Sequence, residues 1–492
     1  MSPFILPAIS SPFSTNTGKY RSTSEDDNVS YPSSLSSPAE FALLGNNSPT
    51  GLLNSFRHQL VTAPLFSRKA YELCETGNNC QYGVLGTILE IGGQEDTSKP
   101  EDPRVYLNTN APFSAVVCGV QGSGKSHSVS VMLENMMIPG FGAIGNQKKA
   151  LSGLVLHFGE AGTATQPCEA AYLGLPRMKG FGAPKVKVYV SPTSLSKMKT
   201  VYKRLGLDAE VSPLLLTQTE LDAKSFLSLM AVGTTSTDRT PLYMKIVLMI
   251  LREIGADDFT YTKFKSRLDI AKRDFKPEQL SGLEQRMLLL ESFLEKGSKR
   301  TLVETRFKEG QLTIIDLTDP FIDAGHANAL FEIITRLFER AVVNTGKVLV
   351  VDEAHKYLSE GTPLVNSLMT MTRELRHTGI RIIISTQEPT CVPPVLLDLC
   401  GVAIMHRFSS PAWWNHVSKH FSGNFTTGNI PAFDRVVTLQ TGEAIILAPS
   451  AFTTSLSSSG GAATLQPLGR RYFVVRTRDR ITKDGGASAL VL

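Results

Sequence analysis

The chain has 492 residues, 42% of them hydrophobic and 19% charged, with 50 Lys plus Arg against 45 Asp plus Glu for a net charge of +5. That size and composition suit a large buried core, in about three domains or in one large α/β domain with insertions. The mild positive balance neither demands nor forbids nucleic acid, no apolar run approaches the roughly 18 residues of a membrane span, and six cysteines, of which only Cys74 and Cys80 lie close, make neither a disulfide framework nor a zinc spacing.

Residues 1–50 are rich in Ser, Pro, Asn and Thr and read as a disordered tail. The first residues lack a basic flank and carry prolines, unlike a signal peptide, so the expected location is intracellular, cytoplasmic or nuclear. A short helix is expected within 55–75. Two strands follow, Tyr82–Ile91 and Arg104–Leu107, joined by the polar Gly92–Asp102 as a hairpin. Phe113–Gly119 is an apolar run ending in glycine, and a helix runs from Ser126 to about Met137. Gly153–His157 and Lys185–Val190 are strands. Helices are expected at 219–234, 240–255 and 277–296, the last from the spacing of Leu280, Leu283, Met287, Leu290 and Leu294. They form a helical insertion spanning about 195–300.

Strand–helix units then repeat. Strands are expected at Leu312–Leu317, Val348–Val351, Ile380–Ser385 and Val402–Met405, with helices at 325–342 and 362–377. Glu443–Ala448 and Arg471–Arg476 are two last strands around a Ser/Gly-rich loop at 452–463. Buried strands alternating with helices predict an α/β fold with a mainly parallel sheet covered by helices on both faces. The expected divisions are the tail 1–50, a hairpin segment 51–112, a core 113–450 and a terminal loop and strand 451–492.

Gly119-Val120-Gln121-Gly122-Ser123-Gly124-Lys125-Ser126 matches the phosphate-loop pattern G-x-x-x-x-G-K-[ST], between an apolar strand and a helix. Its glycines let backbone N–H groups turn toward phosphate oxygens, and the helix, continuing through His127, brings its positive end to the same place. Lys125 is expected on the β- and γ-phosphates of a nucleotide, and Ser126 on Mg²⁺. Lys347–Glu353 (KVLVVDE) supplies the other half: a buried strand ending in two carboxylates. Asp352 is expected to hold Mg²⁺ or its water shell, and Glu353 to orient and deprotonate the attacking water. Ile382–Gln387 (IIISTQ) is a further buried strand whose carboxyl end lies beside the Asp352 strand in a parallel sheet. Gln387 can there sense the γ-phosphate or position the water. Arg373 and Arg376, near a helix end, read equally as a solvated face or as an arginine reaching a neighbouring subunit's γ-phosphate.

Taken together, these segments resemble the HerA/FtsK-type P-loop ATPases, which include conjugation-type pumps. The resemblance rests on YGVLGTILEI, RVYLNTNAPFSAVVCGVQGSGKS, VLVVDEAHKYL, TRELRHTGIRIIISTQ and GEAIILAPS, and covers roughly residues 80–480. It implies a RecA-like core of the additional-strand class, Mg-dependent ATP hydrolysis and a hexameric ring with sites between subunits. It also implies Lys125 and Ser126 as the Walker A pair, Asp352 and Glu353 as the Walker B pair, Gln387 as the strand-end sensor and Arg373 or Arg376 as the arginine acting in trans. The chain departs from that pattern twice. Only a hairpin fits where HerA proteins carry a small barrel, and no segment reads as the membrane or DNA-orienting domain of FtsK. Asp352-Glu353-Ala354-His355 spells the DEAH helicase signature, but the two motifs lie far apart and Ser385-Thr386-Gln387 stands where Ser-Ala-Thr is expected.

Three functions share this site: a ring-forming motor on DNA, an ATPase that remodels or moves protein, and a nucleotide-binding protein with little turnover. A DNA motor calls for basic residues along a channel. Candidates are Lys263, Lys265, Arg267, Lys272 and Arg273, and near the end Arg470, Arg471, Arg476, Arg478, Arg480 and Lys483, with Trp413 and Trp414 as stacking platforms.

Overall fold

The computed structural model describes residues 59, 61–73, 81–93, 100–163, 165–206, 210–230, 242–274, 277–295, 306–426, 431–455 and 464–485. The expected tail 1–50, Cys74 and Cys80 lie outside the described residues. Sixteen described strands join one sheet. In chain order they are β1 (Leu65–Ser67), β2 (Tyr82–Gly92), β3 (Arg104–Asn108), β4 (Ser114–Cys118), β5 (Gly145–Asn146), β6 (Ser152–His157), β7 (Lys185–Val190) and β8 (Glu210–Pro213). They continue with β9 (Gln311–Asp316), β10 (Lys347–Val351), β11 (Ile380–Thr386), β12 (Val402–His406), β13 (Glu443–Leu447), β14 (Phe452–Ser455), β15 (Thr464–Pro467) and β16 (Tyr472–Thr477).

One half of the sheet, in the order β12-β4-β11-β10-β6-β9-β7-β8, is wholly parallel. Apart from the edge strand β8, its strands are buried on both sides, which is why they read as largely apolar runs. Alternate residues face opposite cores: on β10, Leu349 and Val351 enter one and Val348 and Val350 the other. The helices Ala324–Arg340 and Pro363–Arg373 cover the first face through Leu330, Ile334, Leu364 and Leu368. The helix Lys125–Met137 covers the second through Val131, Leu133 and Met136.

The other half continues from β12 through β13, β16, β2 and β3, each pair antiparallel. β1, β14 and β15 complete the edge. The expected hairpin is thus an extension of the main sheet, attached through the C-terminal strand β16. Beyond β16 the chain crosses the helix Lys125–Met137. There Glu134, fully buried, accepts from Arg478 Nη1 (2.7 Å), the Ile481 and Thr482 N–H groups (3.0 and 2.9 Å) and the Thr482 hydroxyl (2.6 Å). Arg478 also donates to Asn135 Oδ1 and the Val84 carbonyl.

The insertion contains helices Leu195–Lys203, Ala223–Met230, Leu242–Ile254, Tyr261–Ala271 and Pro277–Ser292. The first and fourth were not anticipated, because their apolar residues are few: Met198, Val201 and Tyr202 in one, Tyr261, Phe264 and Leu268 in the other. Three expectations need correction. The loop expected at 452–463 begins as strand β14, which pairs with β15 just beyond that range, from Phe452↔Pro467 to Ser455↔Thr464. β1 and β8, too short to show a period, were missed. The helix expected over 362–377 breaks at Glu374 into Pro363–Arg373 and Leu375–Thr378, the second stopped by Gly379 at φ 65°. Among the described residues no helix is long and apolar enough to cross a membrane.

Candidate active site

The phosphate loop joins β4 to the helix that starts at Lys125. Its glycines are required on two separate grounds. Gly119 and Gly124 have φ of 150° and 113°, a region that L side chains avoid. A Cβ at Gly119 would also lie 2.7 Å from His406 Cβ, and one at Gly124 2.9 Å from the Gly442 nitrogen. The loop is packed against its neighbours from below: Val120 N–H donates to the Arg407 carbonyl (3.0 Å) and Gly442 N–H to the Ser123 carbonyl (3.1 Å). Gln121, Gly122 and Ser126 are exposed at its mouth.

Lys125 is buried and donates to the Val120 carbonyl at 2.9 Å, as the Ser123 hydroxyl does at 2.7 Å. Burial pulls its ammonium below the ordinary lysine value, and Glu353, Cys118 and Asp352 act against that pull. His127, expected beside the nucleotide, turns its ring the other way. Its Nε2 lies 2.8 Å from the Arg478 carbonyl and its Nδ1 3.5 Å from Asp484.

β10 delivers the two carboxylates to the same edge. Tyr357 holds the strand end by donating to the Asp352 carbonyl at 2.9 Å. The Asp352 side chain meets His157 Nδ1 at 3.0 Å. Burial raises the Asp352 carboxyl, but the His157 hydrogen bond and charge, with bonds from the Glu353 backbone and Ser385, hold it below the ordinary range. Glu353 is the one non-glycine residue with positive φ among the described residues, at φ 52° and ψ 40°. That conformation costs roughly 1–2 kcal/mol, and it turns the carboxylate toward β11. There Gln387 Nε2 spans both oxygens, at 3.2 and 3.0 Å. His355 Nε2 stands 3.4 Å from the same carboxylate and Lys356 Nζ 3.9 Å. Burial keeps the His355 imidazole below its ordinary value against the attraction of Glu353.

The structure therefore brings Lys125, Asp352, Glu353 and Gln387 to one sheet edge. It leaves Arg373 and Arg376 elsewhere: both are exposed, at the helix end that precedes β11. Ile380–Thr386 spans roughly 20 Å from that end to Gln387, so neither arginine serves its own chain's loop. Ser126 and the ionised Asp352 offer the hard oxygen donors that Mg²⁺ takes. The basic residues proposed for a channel are mostly engaged. Arg476 pairs with Glu443, Arg478 with Glu134, Arg480 with Glu169, Lys265 with Glu291 and Arg267 with Glu253. Trp413 packs on Phe408 and Trp414 on Phe425 and Phe433.

Sequence reasoning missed His157, Cys168 and His406. His157 had a signal, since it ends the apolar strand GLVLH at the same carboxyl edge as Asp352. Burial pulls its imidazole down, yet Cys168, Asp352 and Asp316 raise it well above its ordinary value. His406, fully buried at the end of β12, bonds the Glu443 carbonyl through Nδ1 at 2.9 Å behind the phosphate loop.

A phosphate loop after β4, paired acids after β10 and the strand β11 between them define a P-loop NTPase fold of the RecA-like, additional-strand class. No protein-family model and no curated protein matches the chain. Solved structures do. VirB4 of Thermoanaerobacter pseudethanolicus matches at 12% identity over 81% of this chain and 96% of that one, with a TM-score of 0.44. The bacterial conjugative coupling protein TrwB matches at 11% over 75% and 87%, with a TM-score of 0.40. The genome packaging NTPase B204 of Sulfolobus turreted icosahedral virus 2, in complex with AMP, matches at 12% over 73% and 99%, with a TM-score of 0.28. The fold class rests on this chain's own strand order and loop.

Proposed function

We propose that this chain is a Mg-dependent ATPase, built as a ring-forming motor. The observation that carries the reading is the Gln387 amide bridging both oxygens of Glu353, beside Lys125 and Asp352 on one sheet edge. Glu353 is the general base, held by Gln387 so that one oxygen faces the attacking water. Lys125 leaves the Val120 carbonyl and meets the β- and γ-phosphates, while the loop N–H groups hold their oxygens. Ser126 and Asp352 would hold Mg²⁺, which would supply neutralisation of the charge that develops on the phosphates.

The placement of the arginines supports a homo-oligomer, a hexameric ring by resemblance. Arg373 and Arg376 are far from their own loop and exposed, so they reach a γ-phosphate only on a neighbouring copy. An intracellular, cytoplasmic or nuclear, location accompanies this reading. For the cargo, the resemblance favours DNA. One observation favours protein instead: six of the eleven channel candidates are tied to carboxylates of the same chain.

The test is ATP turnover by wild type and Lys125→Ala, with and without single- and double-stranded DNA, at two salt concentrations. Stimulation by DNA that fades with salt and vanishes in the variant supports a DNA motor. Turnover indifferent to DNA moves the cargo to protein, and no turnover overturns the ATPase reading.

A further inference from the structure

Asp352 also belongs to a second set of ligand atoms, whose other two members, on His157 and Cys168, take no part in the proposed ATP hydrolysis. A His157 ring nitrogen, Cys168 Sγ and an Asp352 carboxylate oxygen all lie within 4.8 Å of one another. They come from three places: the end of β6, the loop that returns toward β7, and the turn after β10. Each backbone is held independently. Cys168 N–H donates to the Tyr202 hydroxyl (3.1 Å), which donates to Asp316 (2.7 Å). Tyr357 holds the Asp352 carbonyl at 2.9 Å. Cys168 is fully buried, whereas the His157 and Asp352 side chains keep 14% and 15% of their surface open, which leaves a way in from the nucleotide side.

We propose that His157, Cys168 and Asp352 form a site for a soft divalent cation, Zn²⁺ by its ligand chemistry. A thiolate, an imidazole and a carboxylate are a zinc donor set, and Mg²⁺ takes no thiolate. Tetrahedral zinc with these donors separates its ligand atoms by roughly 3.3–3.6 Å. The 3.0 Å between His157 Nδ1 and Asp352 Oδ2 therefore opens by a few tenths of an ångström when metal replaces the shared proton. Binding releases that proton and the Cys168 thiol proton to solvent, and the fourth position is left to water. Because Asp352 serves both metals, zinc at this site withdraws the carboxylate from Mg²⁺ and stops turnover. This last consequence rests on the proposed function; the binding itself does not.

Co²⁺ is the probe, added without nucleotide to the purified full-length chain. The expected result is one equivalent bound with a thiolate-to-cobalt charge-transfer band, lost in Cys168→Ser and kept in Cys391→Ser. His157→Asn should weaken the affinity at least about tenfold. Circular dichroism of each variant separates loss of the site from loss of the fold, and His157→Asn carries the test if Cys168→Ser does not fold. No band in the wild type, or a band that survives Cys168→Ser, overturns the proposal. Zn²⁺ should inhibit wild-type turnover and spare Cys168→Ser; inhibition of both overturns the sharing of Asp352. A chain that binds cobalt in this way but never hydrolyses ATP would overturn the ATPase reading and leave the metal site standing.

Discussion

In the parallel half of the sheet, the ionisable groups at the carboxyl edge meet one or a few partners each. Lys125 holds one backbone carbonyl, Glu353 one glutamine amide with His355 and Lys356 nearby, and Asp352 a histidine. Where the chain beyond β16 crosses the helix Lys125–Met137, Glu134 accepts four hydrogen bonds in full burial, and Arg480 pairs with Glu169 while itself 3% exposed. The same residue types are poised in one region and closed in the other. A charge that must change partners during a reaction cannot be fully bonded beforehand, whereas a buried charge that never moves is tolerable only when it is.

Breaking each region should therefore give a different kind of damage. The largest effect is expected from Glu353→Gln, which should cut turnover by about 10²–10⁴-fold while leaving ATP bound and the melting temperature nearly unchanged. Single-turnover kinetics with a filter-binding assay reads both, and unaltered turnover would remove Glu353 as the base. Next, Arg478→Leu leaves Glu134 buried without its cation and should cost about 3–5 kcal/mol of stability in a denaturant titration. A loss below about 1 kcal/mol would show that the clamp is not the closed network described.

The third prediction sits between the two regions, at His406. Burial holds its imidazole down to about 4, against about 6.5 in an unfolded chain. The unfolded chain thus binds a proton that the folded chain refuses. The contribution of His406 is constant above pH 6.5 and is lost as pH falls, by about 2 kcal/mol at pH 5. His406→Asn should remove that part of the slope in stability measured from pH 7 to 5. The smallest effect is expected from Lys265→Gln. Its pair with Glu291 is half exposed, so stability should change by less than about 1 kcal/mol. If the variant also loses DNA stimulation, the exposed insertion face is a DNA surface after all.

Much of the parallel half was legible in advance. Lys185–Val190 was placed to the residue, and β4, β10, β11 and β12 to within one or two. Strands covered on both faces must be apolar throughout, and glycines that admit no Cβ leave a fixed spacing. That Lys125, Asp352, Glu353 and Gln387 meet at one sheet edge was legible for the same reason: each follows such a strand or loop. His157 could have been added by that logic. Cys168 could not, since nothing in its neighbourhood marks a thiol that folds back onto another strand's end.

By itself, the sequence determined the local parts: the buried strands, the phosphate loop, the acids after β10 and the amide after β11. Each is dictated by contacts within a few residues, by period, backbone freedom or strand burial. Only the tertiary structure decided that β16 enters between β13 and β2, that Arg478 and Arg480 are clamp residues, and that His157 and Cys168 converge on Asp352. Those arrangements depend on which distant segments meet. Arg478 and Glu134 lie far apart in the chain, and an arginine bound for a buried carboxylate has the same local sequence signature as one bound for solvent.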